Sequence, residues 1–401
     1  MRRPIRIAGA LSAALVVGGG LALAGAALAQ EAPANDDPGG PLIDLDWSVA
    51  LRGSYTADSA KGSRYEAIVA PEVSLTRHYL GGDASIGAGA AVSVDQNKTI
   101  RVDEAHANAA LSFTLDQFTT LKGSLSLSDT QLSPFDASLP ANTLSGPNEL
   151  TGTATGSATR RFGQFDVTGT LTGERFIKGP TTLADLSTID NSDQSYWMGQ
   201  ASLRTGLEFT AKTSVFVEAS EAYTLYDRPN PSLLVHTNNR TLQLRGGVAF
   251  TQPGTLTAEL SAGRAWIDYA DSTLTDRPAW VANGSVSFTP DETVTLAASL
   301  DTSVGPSANT AGDTDVAYTL TGNAGYRVNP WLTLRGSAGF NHTLTLGTSA
   351  VDQGYNAGVG ADLSTSRHTA WTFDYLFSHD QKTGNPATDS HSVTLGLKFR
   401  K

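Results

Sequence analysis

From residue 45 to the C-terminus the chain alternates apolar and polar residues with a period of two, and helical i, i+3, i+4 spacing is almost absent. The last segment shows it best: Val393, Leu395, Leu397 and Phe399 fall on one side, Ser392, Thr394, Gly396 and Lys398 on the other. Trp371, Phe373, Tyr375 and Phe377 repeat the dyad, as do residues 121–127, 165–173, 242–250, 256–262, 280–288, 294–300, 332–340 and 355–363. These segments run 11 to 15 residues. Strands of soluble proteins average about 5–6 residues, whereas a tilted membrane-crossing strand needs about 9–11. Length therefore separates a transmembrane barrel from a soluble sandwich.

The connections carry a second signal. Short turns at 79–83, 116–118, 162–164, 210–213, 252–254, 290–292, 329–330 and 365–368 alternate with other connections, often longer, such as 131–148, 178–193, 227–238, 270–276, 305–314, 345–351 and 381–388. Tight periplasmic turns and longer external loops make this pattern in outer-membrane barrels. The predicted fold is all-β, a transmembrane antiparallel up-and-down β-barrel of about 18 strands, an even number that leaves both ends periplasmic. Segments 45–56 and 64–77 are weakly patterned, and without them the number is about 16. Trp47, Tyr55, Phe113, Trp197, Phe209, Phe250, Trp266, Trp280, Phe288, Trp331 and Trp371 stand near strand ends, where a barrel carries its two aromatic girdles.

Upstream of the barrel (45–401) the pattern changes. Arg2, Arg3 and Arg6 precede an apolar stretch from Ile7 to Leu23, and Ala27, Leu28 and Ala29 form a small-x-small cleavage site. Residues 1–29 read as a Sec-type signal peptide and 30–44 as a periplasmic N-terminal linker. Cleavage removes three arginines and leaves 25 basic against 39 acidic residues, a net −14. No later run approaches the roughly 20 apolar residues of a membrane-spanning helix. The predicted location is the outer membrane of a Gram-negative cell.

Composition then excludes several chemistries. Zero cysteines rule out disulfides, thiolate metal sites and cysteine nucleophiles. An acidic chain with no basic cluster past the N-terminus is not built to bind nucleic acid. The seven histidines are dispersed; His379 and His391 flank the last loop beside Asp380 and Asp389, and solvated loop-end histidines account for them better than a metal site. No catalytic constellation stands out, so no enzyme, metal or cofactor is predicted.

The ending Val393-Thr394-Leu395-Gly396-Leu397-Lys398-Phe399, with Arg400 and Lys401 after it, looks like the signature by which the barrel assembly machinery recognises outer-membrane barrels. Residues 204–209 (with Arg204 and Glu208), 214–220 (with Phe216 and Glu218), Tyr226-Asp227 and 242–250 are similar to outer-membrane β-barrel porins of Gram-negative, alphaproteobacterial type. The resemblance spans 190–401. It implies a porin-type barrel, with outer-membrane lipid and the assembly machinery as partners, and fixes neither substrate nor oligomeric state.

If the apolar register faces lipid, the lumen receives Arg160, Arg204, Glu208, Glu218, Arg245, Glu259, Arg327, Arg335 and Asp374. Such charges either steer ions in a wet pore or pair across strands and stiffen the wall. A barrel of this size is open unless something fills it. One of the two longest loops, 131–148 or 178–193, is expected to fold into the mouth, with Asp185 and Asp190 as cation-favouring constriction residues. The expected function is passive diffusion of ions and small hydrophilic solutes. The alternative is a non-conducting barrel serving surface polysaccharide export or adhesion.

Overall fold

Each alternating segment becomes a strand because its two faces need opposite surroundings, and only a closed sheet offers both without an edge. The computed structural model describes residues 43–134, 136, 139–140, 142–307, 313–384 and 386–401; the predicted signal peptide and all but the last two linker residues lie outside the described residues. Those two, Ile43 and Asp44, already belong to the first strand.

The barrel opens with β1 (Ile43–Asp58), β2 (Gly62–Tyr79), β3 (Gly82–Asp95), β4 (Ile100–Asp116), β5 (Thr119–Gln131) and β6 (Asn148–Phe162). It continues with β7 (Phe165–Lys178), β8 (Tyr196–Glu208), β9 (Thr213–Tyr226), β10 (Asn239–Gln252), β11 (Leu256–Tyr269) and β12 (Arg277–Phe288). The last six are β13 (Val294–Pro306), β14 (Thr314–Asn329), β15 (Leu332–Leu346), β16 (Val351–Ser364), β17 (Thr369–Gln381) and β18 (Thr388–Arg400). Each pairs antiparallel with the next in the chain, and β18 returns to β1 from Ser48–Arg400 to Asp58–Ser390, closing an 18-stranded barrel. Both weakly patterned early segments are full strands.

One end of the barrel is trimmed to tight turns. Gly81 and Gly163 take left-handed φ of 92° and 65° there, a conformation glycine adopts without strain. Asn329 caps its turn by accepting from the N–H groups of Trp331 (3.0 Å) and Leu332 (2.9 Å). The other end carries the longer connections, two of which meet in a small three-stranded sheet of Thr143–Ser145, Thr181–Leu183 and Thr188–Ile189.

One ladder is incomplete. β12 and β13 are joined by five residue pairs, Gly284–Leu300 to Phe288–Leu296, although both strands run on toward the loop end to Arg277 and Pro306. Above the last pair, β13–β14 passes inside β11–β12 and the wall becomes two layers thick. Alternation puts Ala265, Ile267, Ala279 and Val281 on the inner side of β11–β12 and Val316 on the outer side of β14, and all five are at most 3% exposed. Tyr269, from the inner side of β11, shares a hydrogen bond with Thr314 of β14 at 2.9 Å. Burial of Ile267 or Val281 is worth about 1.5–3 kcal/mol each, enough to hold the layers together.

Candidate solute pathway

The inner face carries charge in organised rows. Arg204, Glu218 and Arg245 are direct cross-strand partners on β8, β9 and β10. Arg204 reaches over two strands to Glu259 on β11, with two parallel hydrogen bonds of 2.7 and 2.8 Å. Its guanidinium lies 3.5 Å from the centroid of Phe216, which is 4% exposed. Gly247 leaves room for that ring; a Cβ there would collide with Phe216 and come within 2.6 Å of the Leu260 carbonyl. Arg245 donates to Glu218 (2.6 Å) and to Asn283 (2.7 Å).

A second cluster faces the lumen from β15–β17. Arg335 contacts Asp362 at 2.8 Å and Asp374 at 2.9 Å. Gly360, on the strand between, has no side chain to block the reach to Asp374. Glu208, nearer the turns, pairs with Arg161 at 2.6 Å. Arg327 shares the inner face by register and has no carboxylate partner among the described residues. Arg160 departs from expectation. It pairs in register with Val167 and stacks on Phe162 at 5.5 Å on the outer face, and Arg161 takes the lumen position instead. Small residues on both sides of β6 had concealed its register. These pairs are partly exposed, so each contributes at most about 1 kcal/mol to stability. Their main effect is on the field.

The loop end of the lumen narrows to a mouth cavity of about 680 Å³. One wall offers Glu149, Glu174, Phe176, Lys178 and Tyr196; the other offers Asn341, Asp352, Asp380 and Lys382. Leu132 and Asp136 of the 132–147 connection also line it. Three residues of that connection are tied to Lys61 in the β1–β2 turn, whose ammonium donates to the carbonyls of Pro134 (3.0 Å), Asp136 (2.6 Å) and Leu139 (3.3 Å). Arg64 holds Ser133 at 2.8 Å. Desolvation lowers the Lys61 pKa from the ordinary lysine value, against the opposing pull of Asp136 and Asp58.

Residues 48–401 match the model of the family described as "Putative beta-barrel porin 2". The chain belongs to this porin family. Among solved structures the porin is similar to the outer membrane protein OpdK of Pseudomonas aeruginosa, at 10% identity over 89% of this chain and 99% of that one, with a TM-score of 0.45. It is also similar to OccAB4 of Acinetobacter baumannii, at 11% identity over 89% and 98%, with a TM-score of 0.42. No curated protein sequence matches.

The porin is a protein of the Gram-negative outer membrane, and its outer face is built for lipid. Leu171, Val217, Leu260, Val359 and Leu395 stand exposed along it. Trp47, Trp331 and Trp371 mark the turn-end level and Trp197, Trp266 and Trp280 the loop-end level, two girdles with the long loops external. Asp185 and Asp190 lie at the external rim beside the three-stranded sheet, apart from the residues lining the mouth cavity. Hydrogen bonds from Ser187 hold the Asp185 carboxyl below the ordinary aspartate pKa, and bonds from Ser192 do the same for Asp190, which pairs with Arg228 at 3.1 Å. Sequence reasoning did not single out Asp136, Glu149, Glu174, Asp352 or Lys61. Their only signal is position, at or just past the external ends of strands on the polar register.

Proposed function

We propose that this porin is a passive diffusion channel for ions and small hydrophilic solutes, with a cation preference set at its mouth. The observation that carries the reading is the charge surplus there: Asp136, Glu149, Glu174, Asp352 and Asp380 line the cavity against Lys178 and Lys382. Deeper in the lumen, opposite charges largely cancel in pairs. Such a barrel admits solutes by size and sorts ions by the potential at its narrow entrance. Refolded protein in a planar bilayer is expected to give steady ohmic steps, with a reversal potential under a KCl gradient signed for potassium. Silence from folded barrels would sink the channel reading. We assign the rim acids Asp185 and Asp190 a share of the preference, so D185N/D190N is expected to reduce the reversal potential; an unchanged value removes them.

We further propose that the assembly machinery reads the outward face of β18, where Val393, Leu395, Leu397 and Phe399 alternate with lumen-facing residues. Phe399 stands in register with Val49 and Thr369, its side chain exposed to lipid. Phe399→Ala is expected to lower the yield of folded barrel in cells and leave refolding in detergent intact, read by heat-modifiable gel mobility. Equal cellular yields would show that Phe399 is not part of the signal.

A further inference from the structure

We propose that the incomplete β12–β13 ladder is a side exit, through which a molecule with one alkyl chain and an anionic head passes between the mouth and the outer leaflet. In hydrocarbon a strand edge with unpaired backbone is strongly disfavoured, which is why barrels close every ladder. Here the closure is made by side chains. The Thr302 hydroxyl accepts from the Ala282 N–H (3.0 Å) and donates to the Ala282 carbonyl (2.6 Å), and the Tyr318 hydroxyl donates to the Trp280 carbonyl (3.0 Å). Opening the joint takes rotation of these hydroxyls and that of Tyr269, together with a parting of the apolar layer contact, whereas any other ladder of this barrel would have to lose a run of backbone hydrogen bonds.

The surfaces along the joint form a graded path. Ala317 and Thr319, on the lumen side of the tucked β14, line the polar mouth cavity. Between the layers the buried residues are mainly apolar, Ile267, Val281 and Val316, with the Tyr269–Thr314 hydrogen bond toward the external end. At the foot of the joint, beside the first complete pair, the lipid face is hollowed into a groove of about 410 Å³ walled by Leu260, Gly284, Val286, Ala298, Leu300 and Leu320. Gly284 and Ala298 are the small residues that hollow it, and its level within the membrane matches an acyl chain. Above the groove, Arg264 faces outward with its guanidinium 4.4 Å from the centroid of Trp280 and no carboxylate partner among the described residues. A cation held on an aromatic ring at the headgroup level suits a carboxylate or phosphate. The path thus runs from polar to apolar with an anion site at its outer end, and it stands apart from ion conduction along the barrel axis.

The test uses vesicles with a lipopolysaccharide outer leaflet and a dansyl-labelled dodecanoate added outside. The porin is expected to speed the probe's entry into the membrane. Because the chain has no cysteine of its own, A282C/T302C can be bridged with a short bifunctional maleimide. Bridging is expected to return entry to the rate of protein-free vesicles and keep the single-channel steps. Entry as fast as wild type after bridging, or no acceleration by wild type, overturns the side exit. Should bridging also abolish conductance, Thr302→Ala decides: it removes the stitching hydroxyl and is expected to accelerate entry, and an unchanged rate overturns the proposal. Arg264→Gln is expected to slow the dodecanoate but not a labelled dodecylamine; equal slowing of both refutes the anionic head.

Discussion

Replacing Lys61 by methionine is expected to release the 132–147 connection from the mouth and raise single-channel conductance. One ammonium there satisfies three carbonyls within six residues of the segment, Pro134, Asp136 and Leu139. Hydrogen bonds to a charged group are worth about 1.5–3 kcal/mol each when buried, and partial exposure of Lys61 reduces their sum to about 1–2 kcal/mol. A loss of about 1.4 kcal/mol shifts the inward arrangement roughly tenfold, so the variant is expected to show larger steps with more open-state noise. Methionine keeps the length of the side chain and removes only the donors. Wild type is expected to approach the same behaviour at alkaline pH. Because burial lowers the Lys61 pKa, the ammonium is lost below the ordinary lysine value of about 10.4. Identical step size and noise in K61M and wild type, at every pH, would show that Lys61 does not hold the mouth.

Neutralising Glu259 is expected to have the largest effect on selectivity deeper in the barrel. Glu259→Gln removes the charge that balances Arg204 and leaves that guanidinium fixed over Phe216. A fixed positive charge in the lumen repels cations, so the reversal potential moves toward anions. Breaking a fully buried pair costs about 3–5 kcal/mol, but both partners here are near one-third exposed, which brings the stability loss to about 1 kcal/mol. The double variant R204Q/E259Q tests the cause, since it restores neutrality and is expected to recover the wild-type reversal potential. If E259Q alone leaves the reversal potential where it was, Arg204 does not face the ion path.

The strands were legible in the sequence because a lipid face and a water face impose opposite demands at every second residue, and β18 or β17 states both demands plainly. Their side-chain partners were less so. Arg204 and Glu259 are separated by two intervening strands, and their meeting depends on the registers of three hairpins, which no local pattern encodes. β6 shows where patterning fails: Gly152, Ala154, Gly156 and Ala158 on one side and threonines and Ser157 on the other differ too little in hydrophobicity to fix which is outside. The lapped joint left no trace at all. Trp280 and Ala282 alternate with their neighbours as regularly above the last β12–β13 pair as Val286 does below it. Alternation reports what each face touches, and an apolar contact with a second protein layer reads the same as one with lipid.

Closure of the ring by β1 and β18 has a consequence for how the chain tolerates change. Every other ladder joins strands adjacent in sequence, so a local error can be absorbed by its own hairpin. The closing ladder joins Thr56 to Ser392, 336 positions apart, and inherits the sum of all the offsets between them. A net slip of one residue would present Val393, Leu395 and Phe399 to water and Thr394 and Lys398 to lipid. The irregularities at Ala91/Val92, Thr114/Asp116 and Arg327/Asn329 are part of that sum. The barrel therefore behaves like a text in a fixed reading frame: a one-residue insertion within any strand is felt at the far side of the ring, while the external loops, which lie outside the frame, are free to change length.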